Sequence, residues 1–79
     1  VRNPERKKNI YTEEQAYLVK KLKEARIEAG FDQKTVAEKL DRSQSYMSKV
    51  ESGQLRIDVI ELKKFSNIYK KDINFFLKN

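Results

Sequence analysis

Residues 43–52, SQSYMSKVES, combine serine hydroxyls, one amide and one ammonium with only Met47 and Val50 as plainly apolar anchors. If this stretch is helical, each residue turns about 100° from the last, so Ser45, Lys49 and Ser52 lie roughly opposite Met47, with Ser48 at one edge. Glu51 falls on the Met47 side, so the polar face carries no carboxylate. Two readings fit that pattern. One is a short solvated surface helix. The other is a recognition helix, whose inner side anchors it while its outer side meets base edges and phosphates in a major groove. Small hydroxyl side chains let a backbone approach DNA closely, and a carboxylate on that face would be repelled.

Composition narrows the chemistry further. The 79-residue chain has no cysteine and no histidine, which excludes disulfides, thiolate metal sites, thiol nucleophiles and the commonest general base. No metal site and no cofactor are expected. Carboxylates are present, but no paired acid and base share a helix face and no phosphate loop occurs, so no enzyme is expected. A chain of this length holds one domain at most, with little room for a deep catalytic pocket. Eighteen Lys and Arg against twelve Asp and Glu give a net charge of +6, which fits a polyanion partner without identifying it. Half of that excess, from Arg2, Arg6, Lys7 and Lys8 against Glu5, sits in residues 1–11. No apolar run approaches the ~20 residues needed to span a bilayer, and no hydrophobic segment follows the basic start as in a secretory signal. The expectation is a soluble cytoplasmic protein without membrane partners.

At 38% each, the apolar and charged fractions would permit disorder, but the apolar residues are regularly placed and only two glycines and one proline interrupt the chain. Residues 1–11 show no amphipathic period and are expected to form a flexible basic arm. The domain is expected over residues 12–79. Thr12 and Gln15 match a capping box that opens a first helix, with Leu18, Leu22, Ala25 and Ala29 as its stripe and Gly30 as its stop. Asp32 caps a second helix through Leu40, with Val36, Ala37 and Leu40 inward. Asp41 and Arg42 make a tight connection, and Ser43 caps a third helix from Gln44 to Ser52, ended by Gly53. Asp58 and Glu61 form a second capping box, opening a helix whose buried side is Val59, Leu62, Phe65, Ser66 and Tyr69. Asp72 caps a last short helix carrying Ile73, Phe75, Phe76 and Leu77. No alternating strand pattern and no internal repeat occurs. The prediction is an all-α domain of five helices preceded by the arm.

The same residues carry a family resemblance. Leu22, Arg26, Gly30, Gln33, Val36, Ala37, Leu40, Ser43, Met47, Ser48, Val50, Glu51, Gly53, Leu62, Tyr69 and Leu77 form an ordered pattern over residues 17–77. It resembles the lambda-repressor-like (Cro/repressor, XRE) helix-turn-helix domain, and QKTVAEKLDRSQSYMSKVESG is similar to the helix-turn-helix unit over its whole length. The resemblance implies that Gln33 starts the second helix and holds a phosphate, where the helix N-terminus favours an anion. It implies base contacts from Gln44, Ser45 and Lys49. A Gln amide pairs with adenine, Lys donates to guanine, and a lone hydroxyl reads little because it both donates and accepts.

Phosphate contacts are expected from Arg42, Ser43, Tyr46 and Arg56, although Tyr46 can equally pack its ring on a neighbouring helix and Ser43 is a cap in either case. Arg26 and Glu51 match a partly buried ion pair with a structural role. Met47, Val50, Phe31 and Leu40 are expected in the core. Three features depart from the pattern: Asp41 stands where the family turn usually has glycine, Lys70 and Lys71 replace the usual glycine and apolar residue, and the basic arm is extra. The turn therefore needs Asp41 to tolerate a left-handed conformation, or it takes a different geometry. The expected function is sequence-specific double-stranded DNA binding by a transcriptional regulator, a repressor by default, acting as a homodimer. Exposed parts of Ile73, Phe75 and Phe76 either form the contact between protomers or merely close the small core. An antitoxin or restriction-modification controller would use the same domain with a further protein partner. A protein-interaction module that no longer meets DNA is the rival from another class.

Overall fold

A computed structural model describes residues 12–78, so the predicted arm at residues 1–11, with Arg2, Arg6, Lys7 and Lys8, lies outside the described residues. Four α-helices follow one another: α1 (Glu13–Ala29), α2 (Gln33–Leu40), α3 (Gln44–Glu51) and α4 (Val59–Tyr69). A 3-10 turn, Ile73–Phe76, closes the order. Among the described residues there is no strand.

The helices start where short polar side chains satisfy first-turn N–H groups. Thr12, Asp32, Ser43 and Asp58 accept from the backbone N–H of Gln15, Thr35, Tyr46 and Glu61, at 3.1, 2.8, 3.1 and 2.8 Å. Helices α1, α2 and α4 end in left-handed residues that let the next N–H groups fold back onto free carbonyls, whereas α3 ends in right-handed Ser52 with left-handed Gly53 after it. Gly30 does this for α1, with its own N–H on Ile27 and that of Phe31 on Arg26. Asp41 does it for α2 at φ 60°, and the Arg42 N–H reaches the Ala37 carbonyl at 2.8 Å. Asp41 thus adopts the conformation its place in the turn demands.

The core joins Leu22 and Ala25 of α1, Val36, Ala37 and Leu40 of α2, Met47 and Val50 of α3, and Leu62, Phe65 and Tyr69 of α4. Phe76 from the 3-10 turn is fully buried among them. Removing a side chain such as Phe65 or Phe76 from water stabilises the fold by roughly 1.5–3 kcal/mol each. Phe31 packs against the same cluster while staying partly exposed.

Four expectations need correction. The third helix ends at Glu51, and Ser52 is its C-terminal cap. The fifth element is a four-residue 3-10 turn, with Asp72 capping it through the Asn74 N–H at 2.8 Å, and Leu77 lies beyond it, exposed. Val59 is 62% exposed because it stands at the first turn of α4, beyond the edge of the core; Glu61 is buried instead. Ala29, in the last turn of α1, is likewise exposed.

Candidate nucleic-acid interface

The α2 turn and the Ser43 cap set the direction of α3, and two side chains hold it down. Met47 and Val50 are each 1% exposed, in contact with the rest of the core. The helical repeat then turns Gln44, Ser45, Ser48, Lys49 and Ser52 outward, and all five are exposed. The Ser52 hydroxyl donates to the Lys49 carbonyl at 3.2 Å and accepts from the Gln54 amide at 2.9 Å, which pins the end of this surface.

Glu51, the only carboxylate of α3, faces the other way. Arg26 of α1 grips it through Nε on Oε2 at 2.7 Å and Nη2 on Oε1 at 3.1 Å. The third guanidinium nitrogen donates to the Phe31 carbonyl at 2.9 Å. The hydrogen bond to Glu51 is the main reason the Arg26 pKa is raised above the ordinary arginine value, against the opposing effect of burial. Gln33, the first residue of α2, is half-buried and donates Nε2–H to Glu51 Oε1 at 3.1 Å. An amide nitrogen carries two hydrogens, so this bond orients Gln33 without using all its donor capacity. The buried Tyr69 hydroxyl has no hydrogen-bond partner among the described residues. Its pKa is raised, first by burial and then by the Glu51 charge.

A second cluster stands at the start of α3. Tyr46 is half-buried and its hydroxyl donates to Glu61 Oε2 at 2.8 Å. The Arg42 guanidinium lies over the Tyr46 ring, 4.3 Å from its centroid, with Nη2 3.8 Å from Glu61 Oε1. Lys64 Nζ is 3.8 Å from the same oxygen. Burial first, and the bond to Glu61 second, push the Tyr46 phenol above its ordinary range, so it stays a donor. Arg56, between α3 and α4, is exposed and shares a shallow groove with Arg42, Tyr46 and Glu61.

The named polar residues lie on α3, at its two ends and in the loop after it. Gln44, Ser45 and Lys49 occupy the open face of α3, Arg42, Ser43 and Tyr46 surround its start, and Gln33 is tied to its last residue. Glu61 is the member that sequence reasoning missed, since it was assigned only to a helix cap. Among the described residues no group of three or more His, Cys, Asp or Glu can hold a metal ion. No helix among them is long and apolar enough to cross a membrane.

The helix-turn-helix family model matches residues 22–76, well over half of the chain. No curated protein and no solved structure gives a significant match. The matched span runs from the Leu22 core position through both clusters to Phe76. The chain belongs to the lambda-repressor-like (XRE) helix-turn-helix family of DNA-binding domains.

Proposed function

We propose that this chain is a sequence-specific double-stranded DNA-binding regulator, a repressor that acts by occupying its site. The observation that carries the reading is the open face of α3, where Gln44, Ser45 and Lys49 are exposed while Glu51 is drawn inward by Arg26. On this reading Gln44 and Lys49 contact base edges, with Ser45 between them allowing close approach. Gln33, Arg42, Ser43 and Arg56 contact phosphates, which set register and affinity without reading sequence. Tyr46, whose one hydroxyl hydrogen goes to Glu61, supports Arg42 through its ring instead of donating to a phosphate. Arg26 and Glu51 hold the two faces of the domain in place and touch no DNA.

The DNA-binding domain comprises residues 12–79, and residues 1–11 carry half of the chain's excess positive charge. The protein works in the cytoplasm as a homodimer reading two half-sites about one helical turn apart. Ile73 and Phe75, both partly exposed, supply the contact between protomers; Phe76 is fully buried and is left out of it.

The test is selection of binding sites from random duplex DNA, with sedimentation of the protein alone and on the selected site. The expected result is a two-fold symmetric site, two protomers per duplex, and affinity that falls steeply with salt. Failure to bind any duplex at low ionic strength overturns the reading in favour of a protein-interaction module.

A further inference from the structure

Glu61 sits in the first turn of α4 and is 7% exposed, an expensive place for a carboxylate. Three groups offset that cost: the Tyr46 hydroxyl at 2.8 Å, and the Arg42 and Lys64 cations, each at 3.8 Å. The arrangement is directional. The Tyr46 ring is held by its hydroxyl end, and the Arg42 guanidinium lies on the face of that same ring. Arg42 itself keeps a side chain that is 48% exposed, so several of its N–H groups remain open to an outside acceptor. A carboxylate near a DNA-binding face opposes DNA by simple repulsion. The contacts around Glu61 give it a role that offsets that repulsion.

We infer that Glu61 is a positioning residue for DNA binding: by clamping the Tyr46 hydroxyl it turns the ring into a platform that holds the Arg42 guanidinium at the start of α3, ready for a phosphate oxygen. The inference rests on the proposed DNA-binding function and extends it to a residue of α4 that itself contacts no DNA. An arginine stacked on a fixed ring loses less rotamer freedom on binding than one free in solvent, so part of the ordering cost is met before DNA arrives.

The sign of the effect separates positioning from electrostatics. Removing a negative charge near phosphates tightens binding if Glu61 does nothing else. Loss of positioning weakens it. Glu61→Ala is therefore expected to weaken binding several-fold to a duplex selected from a random pool by the wild-type chain. Glu61→Gln, which keeps a carbonyl acceptor for Tyr46, is expected to bind at least as well as wild type. In an Arg42→Ala background, Glu61→Ala is expected to cause no further loss. Nuclear Overhauser contacts between the Arg42 side chain and the Tyr46 ring, measured without DNA, are expected to vanish in Glu61→Ala and persist in Glu61→Gln, and the dispersed amide spectrum checks that each variant is folded.

Unchanged Arg42–Tyr46 contacts in folded Glu61→Ala overturn the positioning role whatever the DNA result. Equal or tighter binding by Glu61→Ala, or an equal loss in the Arg42→Ala background, does the same. If the contacts behave as expected but the wild-type chain selects no duplex, the proposed function fails, and the inference falls with it for that separate reason.

Discussion

Arg26 and Glu51 form a two-point ion pair, Nε to Oε2 at 2.7 Å and Nη2 to Oε1 at 3.1 Å, that ties the last turn of α1 to the last residue of α3. Their side chains are only 12% and 4% exposed, so neither charge has ready access to water. Removing one partner strands the other, at a cost of about 3–5 kcal/mol. Glu51→Ala and Arg26→Met are each expected to lower the unfolding free energy by that amount, read as a fall in the urea midpoint, while the double change to two apolar residues recovers much of the loss. A Glu51→Ala protein as stable as wild type would show the pair to be dispensable.

Lys49 and Gln33 are assigned different work, so their loss should look different. Lys49→Ala is expected to relax preference at particular base pairs, read by repeating site selection with the variant. Gln33→Ala should weaken all duplexes alike, because phosphates carry no sequence. Uniform loss of affinity from Lys49→Ala would remove it from direct readout.

The Tyr69 hydroxyl is buried without a partner among the described residues, close enough to Glu51 and Arg26 to feel both charges. An unsatisfied buried hydroxyl costs roughly 1–3 kcal/mol, and phenylalanine fills the same space without it. Tyr69→Phe is therefore expected to leave stability unchanged or raise it by about 1 kcal/mol, as read from chemical denaturation. A clear destabilisation would mean that the hydroxyl contributes a favourable interaction.

Lys70 follows α4 at φ 56°, a left-handed position that glycine occupies without strain. Asp41 stands at φ 60° after α2, but its short polar side chain tolerates that region better. Lys70→Gly is expected to stabilise the domain by about 1 kcal/mol, after the greater chain entropy of glycine is set against the relief of strain. For a domain of this size that gain raises the melting temperature by roughly 4–8 °C. Asp41→Gly should give a smaller gain, and Lys70→Asn tests whether the backbone or the lost charge is responsible.

Much of the fold was legible because helix boundaries depend on bonds between residues three or four apart. The caps at Thr12, Asp32, Ser43 and Asp58 and the stop at Gly30 all act over that range, and each stands where its residue type foretold. The inner faces of α2 and α3 followed from the helical repeat for the same reason, and so did the exposed polar face of α3. Periodicity failed at the ends of helices. Val59 keeps register with Leu62 and Phe65 yet protrudes past the core, and register cannot say where the core stops.

The sequence alone determined where the four α-helices begin, which side of α3 is polar, and that Glu51 lies opposite that side. Only tertiary structure decided that Glu61 would be buried, because its stabilising partners come from another helix and the turn before it. It likewise joined Gln33 to Glu51 across eighteen residues of chain. A carboxylate enters a protein interior when donors from distant segments converge on it, and that convergence is a property of packing, which no local spacing encodes.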